Sequence, residues 1–324
     1  MLPKRTLEFV VPIFNEGACV DAMVERLLAF REATPALEVG FTFVNDGSTD
    51  ETWERLTEHA AREPRFALVD LSRNFGHQIA VTAGLDHVDA DYVVIIDGDL
   101  QDPPEVVTAM YARALEGFDV VYGRRNLRRG ETAFKRATAY GFYRVIRRLC
   151  GVPIPEDTGD FRLISRKVLR ALHAMRERHR FLRGMVPWAG FRAAEVRYDR
   201  DTRHAGETKY PLSKMLRFAL DAIFSFSVAP LRAASMAGLA IVLLGCLGGA
   251  YMLYLKLFTT RVVPGITVIL FTVIVLGGVQ IMTLGLIGEY IGRIFEESKR
   301  RPLYFVNEVR SHRAARRISA VTEA

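Results

Sequence analysis

The sequence predicts an α/β domain, a parallel sheet with helices on both faces, joined to a hairpin of two membrane-spanning helices. Three observations predict it. From residue 7 to residue 122, short apolar runs alternate with helical patterns, the rhythm of a parallel sheet. Within that series, residues 92–96 (YVVII) form a continuous, β-branched run that passes directly into Asp97, Gly98 and Asp99; such a run suits a strand buried on both faces. Finally, residues 233–255 and 262–288 carry no charged residue, and each exceeds the roughly 20 residues needed to cross a hydrocarbon core.

Residues 7–14 (LEFVVPIF) form the first predicted strand, followed by Asn15, Glu16, Gly17 and a helical pattern to about Ala33. Residues 39–45 are the second strand, ending in Asp46-Gly47-Ser48-Thr49-Asp50, where Thr49 or Asp50 can cap the next helix. Residues 66–71 are the third strand; a polar turn over 72–77 leads to a helix ending near His87. The Tyr92 strand is fourth, and Pro103 and Pro104 open the helix after it. Residues 118–122 are the fifth strand, ending in Gly123, Arg124 and Arg125, and residues 191–198 are a further one.

In an open α/β sheet, ligands bind beyond the carboxyl ends of the strands. Asp97 and Asp99 are expected at that edge, with Gly98 letting the backbone turn, and their oxygens suit a hard divalent cation, Mg²⁺ or Mn²⁺, that keeps positions for phosphate oxygens. The strand ends at Pro12, Phe14, Asn15, Glu16 and at Asp46 are expected beside them. The Gly-x-Gly-x-x-Gly and P-loop patterns are absent, which argues against a Rossmann dinucleotide site or a P-loop NTPase. A net charge of +7 without a nucleic-acid motif gives no reason to expect a nucleic-acid partner. Cys19, Cys150 and Cys246 lack metal-ligand spacing and fit a reducing cytosol. No signal-peptide core is expected at the N-terminus.

Arginines, lysines and aromatics interleave from Arg124 to Arg148, which suits either a solvated helix face or a helix lying on an anionic membrane surface. Asp157-Thr158-Gly159-Asp160-Phe161-Arg162 is expected to be a tight turn re-entering the sheet, and the polar loop over 200–210 a mobile lid. Residues 211–228 are amphipathic and aromatic, expected along the inner leaflet. Basic residues flank the outer ends of the two apolar spans, at Arg217, Arg232, Arg293 and residues 299–301, so both termini are expected in the cytoplasm. Gly245, Gly248, Gly249, Gly277, Gly278 and Gly285 are expected to let helices pack closely and permit self-association. The expected organisation is a catalytic domain over 1–210, a juxtamembrane helix over 211–230, transmembrane helices within 231–292 (about 233–255 and 263–288) and a basic cytoplasmic tail over 293–324.

Taken together, residues 10–16 (VVPIFNE), 45–50 (NDGSTD), 97–105 (DGDLQDPPE) and 157–162 (DTGDFR) resemble glycosyltransferase family 2 enzymes of the GT-A fold. More narrowly, nearly the whole chain is similar to the polyprenyl-phosphate glycosyltransferases, relatives of dolichyl-phosphate mannose synthase, in their bacterial form with two C-terminal transmembrane helices. The resemblance implies a cytoplasmic-membrane enzyme that joins a nucleotide-sugar donor to a polyprenyl phosphate acceptor with Mg²⁺ or Mn²⁺. It implies that Pro12, Phe14, Asn15, Glu16 and Asp46 hold the nucleoside, with Phe14 where many relatives have tyrosine. It further implies that Asp97 contacts the nucleotide-sugar, Asp99 and Gln101 ligate the metal, Arg124 meets phosphate, and Arg203 and Lys209 close over a phosphate group. Asp160, then Asp157, are the implied catalytic carboxylates, acting either as base or as orienting group. A processive polysaccharide synthase is disfavoured because no Gln-x-x-Arg-Trp motif is present. A non-catalytic nucleotide-sugar sensor is disfavoured by the full set of acidic strand ends.

Overall fold

The computed structural model describes residues 4–126, 158–201, 227–258 and 265–311. They belong to two units, an α/β unit that includes the residues after Arg301 and a helical unit. In chain order the α/β unit contains β1 (Thr6–Ile13), α1 (Gly17–Ala33), β2 (Glu38–Asn45), α2 (Thr52–Arg62), β3 (Phe66–Leu71), α3 (His77–Asp86) and β4 (Tyr92–Ile95). There follow α4 (Val106–Leu115), β5 (Val120–Arg125), β6 (Thr158–Ser165), α5 (Arg166–Ala174), α6 (Leu182–Trp188), β7 (Ala193–Tyr198) and, at the far end of the chain, β8 (Val306–Ser311).

The strands form one sheet in the order β7-β5-β6-β4-β1-β2-β3-β8. The central β3, β2, β1 and β4 are parallel, as the alternating pattern predicts. Helices cover both faces. On one face Met23, Leu27, Leu56, Val107 and Met110 pack over Phe9, Phe41 and Val94. On the other, Ala80 and Ala83 of α3 meet Val44, Val69 and Leu71. The apolar alternation of β1 and β2 supplies both layers, because successive side chains point to opposite faces. Gly84 lets α3 sit directly on the strands: a Cβ there would stand 2.4 Å from Val10 Cγ1 and 2.9 Å from Val44 Cγ2.

The sheet is mixed rather than wholly parallel. β6 runs antiparallel to β4 and β5, and all eight of its residues are buried. The expected tight turn over residues 157–162 is therefore a strand from Thr158 onward. Its Asp160 and Arg162 satisfy each other within the sheet, and this polar pair gives a buried strand the composition of a turn. Residues 293–311 are also more than a tail. Helix continues to Ser298, and β8 pairs antiparallel with β3. Asn307 Nδ2 donates to Asp70 (2.8 Å), which also accepts from Asn45 Nδ2 (2.7 Å). β8 thus covers the backbone edge that β3 would otherwise leave open.

The helical unit consists of α7 (Ala229–Phe258) and α8 (Gly265–Ser298). Each contains a 27-residue segment long and apolar enough to span a membrane, with none of the most apolar window buried in the protein. Leu244, Leu247, Ile274, Ile281 and Leu284 are all exposed, far more apolar surface than a soluble monomer carries. A soluble core hairpin would bury these residues. Within the single chain a Cβ on Gly245, Gly248, Gly249, Gly277, Gly278 or Gly285 would meet nothing within 4 Å, so these glycines do not lie at a contact between α7 and α8. The amphipathic segment over 211–226 and most of the basic stretch after Arg124 lie outside the described residues.

Gly84→Leu forces a side chain into the α3–sheet contact and is expected to cost about 1–3 kcal/mol. A lowered unfolding midpoint of the full chain in detergent checks this; an unchanged midpoint would show a looser α3 packing.

Candidate active site

Three strand ends meet at the carboxyl edge of the sheet. Asp46 N–H donates to the Ile13 carbonyl (2.9 Å), joining the end of β2 to that of β1. Asn15 adopts a left-handed conformation (φ 53°), which asparagine tolerates better than most residues. Its Oδ1 accepts from Thr49 N–H (2.8 Å) and its own N–H donates to Ser48 Oγ (3.0 Å). Asp50 receives the N–H groups of Gly17 and Thr52, each at 3.1 Å, so one carboxylate serves the starts of both α1 and α2. Gly98 brings the β4 end in: a Cβ there would be 3.0 Å from Ile13 Cγ1. Pro12 is buried at the base of this edge, Glu16 is half-buried, and the Phe14 ring is 44% exposed.

Asp97 and Asp99 stand beyond β4. Asp97 Oδ1 is buried and accepts no hydrogen bond among the described residues. Burial, together with the charges of Asp160, Asp102 and Asp99, raises its pKa against the opposing pull of His77. Asp99 Oδ1 accepts from Gln101 N–H (3.1 Å), and Arg200 Nη2 lies 3.7 Å from Asp99 Oδ2. Leu100, between them, is held at φ 61°, an uncommon conformation for a bulky residue. Asp102 is fully buried. It accepts from Tyr198 Oη and from Arg200 Nε (3.2 Å), so it ties β7 and the chain after it to the β4 edge.

Asp160, on β6, is the most heavily bonded carboxylate described. Its Oδ1 accepts from Arg162 Nη2 (3.2 Å) and Arg183 Nε (3.1 Å). Its Oδ2 accepts from Arg183 Nη2 (2.9 Å) and Gln78 Nε2 (3.4 Å), and His77 Nε2 is 3.2 Å away. Burial alone would raise its pKa; the His77 hydrogen bond and the Arg183 and Arg162 charges outweigh burial and hold it well below the usual carboxylate range. His77 Nε2 also lies 3.5 Å from Asp97 Oδ1. Burial lowers the imidazole pKa, but the Asp160 hydrogen bond and the Asp97 and Asp160 charges prevail and push it up to about 9. Asp46 sets this histidine's place: its oxygens accept from Phe75 N–H (2.7 Å) and Gly76 N–H (3.0 Å), immediately before His77.

Residues 8–172, about half of the chain, match the profile of "Glycosyl transferase family 2". The chain belongs to glycosyltransferase family 2. Residues 229–294 match a second profile, the "GtrB C-terminal hairpin". The glycosyltransferase is 46% identical over 299 residues to "Uncharacterized glycosyltransferase YkcC" of Bacillus subtilis, spanning 92% of each chain. It is 38% identical to "Bactoprenol glucosyl transferase" of Shigella phage SfV, over 93% of this chain and 97% of that one. Among solved structures, glucosyl-3-phosphoglycerate synthase from Mycobacterium tuberculosis is 20% identical, with a TM-score of 0.46, over 68% of this chain and 79% of that one.

The structure brings the strand ends that carry Pro12 to Glu16, Asp46 and Asp97 to Gln101 of this glycosyltransferase to one edge of the sheet. Asp46 spends its carboxylate on backbone amides, where it shapes the site from below. Arg124 Nη1 bonds Glu195 (2.9 Å), while its neighbour Arg125 lies 3.5 Å from Asp102. Asp157, Arg203 and Lys209 lie outside the described residues. Among the described residues no group of three or more His, Cys, Asp or Glu side chains is assembled for a metal. Mg²⁺ needs only one or two carboxylates when phosphate and water supply the rest, and the unbonded Asp97 Oδ1 beside Asp99 fits that requirement. His77, Arg162, Arg183, Arg200 and Asp102 were not singled out from the sequence. The strand-end rule extended to β3 would have flagged His77; Arg183 carries no local signal.

The raised His77 pKa stabilises the fold below pH 6.5, and that contribution is lost as pH climbs through about 9. In denaturant melts with EDTA, wild type is expected to lose stability relative to His77→Gln across that window. A constant difference would show that His77 carries no extra charge in the folded state.

Proposed function

We propose that this glycosyltransferase moves glucose from UDP-glucose to a polyprenyl phosphate at the cytoplasmic face of a membrane, with inversion at the anomeric carbon. The observation that carries the reading is a combination. Asp97 and Asp99 meet at one strand-end edge, Asp97 with a buried oxygen that accepts no hydrogen bond among the described residues, and the same chain carries two helices with the length and composition of membrane spans. Relatives named bactoprenol glucosyl transferase match over both parts together, which supports a lipid phosphate acceptor and a glucosyl donor. The two spans form a hairpin with both termini cytoplasmic, in keeping with the flanking basic residues.

In the reaction, an oxygen of the lipid phosphate attacks the anomeric carbon. The bond from that carbon to the diphosphate breaks, and the nucleoside diphosphate leaves on the opposite face. Pro12, Phe14, Asn15 and Glu16 line the nucleoside end; the exposed Phe14 ring offers a face for the base. Asp97, Asp99 and Gln101 would hold a divalent cation, Mg²⁺ or Mn²⁺. When bound, that cation supplies positive charge to the departing diphosphate. Arg200, beside Asp99, adds charge at the same edge, and Arg203 and Lys209 follow it in the chain.

A phosphate nucleophile is already ionised near neutral pH, so no strong base is required. Asp160 suits that chemistry poorly as a base, because both its oxygens are engaged by cationic or amide donors. Its role in this reading is to hold Arg183 and His77 in place at the site. Asp157 is the second acidic group of that segment.

Purified full-length protein given labelled UDP-glucose and undecaprenyl phosphate is expected to yield a labelled lipid, and a panel of nucleotide-sugars tests the donor. Asp99→Asn is expected to lower transfer at least ~100-fold, the scale on which loss of a preorganised charge-stabilising group acts, with the unfolding midpoint kept. Full activity in that variant would remove Asp99 from the metal site, and absence of lipid product from any nucleotide-sugar would end the reading.

A further inference from the structure

We propose that His77 is a positioning residue whose Nε2–H bridges Asp97 and Asp160 and so fixes the Asp97 carboxylate for transfer. Its importance for catalysis rests on the functional reading above; the bridge itself rests on geometry alone. Asp97 follows β4 and Asp160 lies on β6, neighbouring strands that run in opposite directions. One imidazole nitrogen faces both, at 3.5 and 3.2 Å. A nitrogen set between two carboxylates must carry a proton, and a neutral imidazole protonated at Nε2 already meets that need.

The two carboxylates depend on His77 unequally. Asp160 keeps Arg162, Arg183 and Gln78 without it. Asp97 Oδ1 is shut from solvent and accepts no full hydrogen bond among the described residues, and His77 Nε2, 3.5 Å away, faces it. Removing the imidazole leaves two carboxylates facing each other across the gap, and Asp97 is the one free to swing. His77 is in turn not free to follow: Asp46 clamps the amides of Phe75 and Gly76, and Gln78 Oε1 accepts from Leu182 N–H (3.0 Å). A placement error of about 1 Å in a group facing the reacting centre costs on the order of 100-fold in rate.

The test uses the full chain in detergent with three substitutions. Glutamine puts an amide N–H near the place of imidazole Nε2; asparagine is one bond too short, and alanine has no donor. His77→Ala and His77→Asn are expected to lower kcat by ~100-fold with donor KM within about threefold of wild type. His77→Gln is expected to stay within about tenfold of wild type. Crystal structures of the ligand-free variants are expected to show the Asp97 carboxylate displaced in His77→Ala and in place in His77→Gln. The proposal is overturned by alanine activity within about threefold of wild type, by glutamine no better than asparagine, or by an unmoved Asp97 in the alanine variant. A wild-type protein that forms no lipid product would instead remove the functional reading, and the crystal structures would still decide the bridge.

Discussion

The ion cluster around Asp160 is the constraint on which the site depends. A carboxylate almost wholly removed from water is costly unless its charge is matched and its lone pairs are filled. Here two arginines, a histidine and a glutamine do this from three elements: β6 itself, α6 and the start of α3. Because each donor is held in turn by its own element, the cluster sets where α3 and α6 begin relative to the sheet edge. The polar edge above it, with Asp97 and Asp99, is built on that foundation.

The same logic recurs at two other buried acids. Asp46 is committed to the turn before α3, and Asp102 to Tyr198 and Arg200. Each lies at a strand end and looks from its type like a ligand-binding group. Each also organises a neighbouring loop, Asp46 the turn that leads into His77 and Asp102 the chain around Arg200. Phe14 stays exposed at the same edge, and Asp99 accepts from Gln101 N–H with Arg200 beside it. Both Asp97 Oδ1 and Asp102 Oδ2 are buried without a hydrogen bond among the described residues, each with a cationic side chain 3.5 Å away, His77 and Arg125.

The closing strand β8 has a related effect. The chain passes through both long apolar helices and then returns to pair with β3. Asn307, Asp70 and Asn45 carry hydrogen bonds from β8 across β3 to β2. Asn45 also accepts from Ser48 N–H (3.2 Å), beside Asn15. A short segment distant in sequence is thus part of the sheet that carries Asn15 and Ser48 at its edge.

Periodicity and strand-end chemistry were enough to place β1 to β5, the helices between them, the acidic edge and the two long apolar helices, because those signals are local. A buried run, a cap or an uncharged span is written in neighbouring residues. The direction of β6, the return of β8, the glycines left facing open space and the partners of Asp160 were decided only in three dimensions. A charged residue shows its type in the sequence but not its partner: Arg183 and Asp160 are 23 residues apart, and His77 and Asp160 are 83 apart. Whether a carboxylate is spent on the fold or kept for chemistry depends on which distant cation burial forces against it.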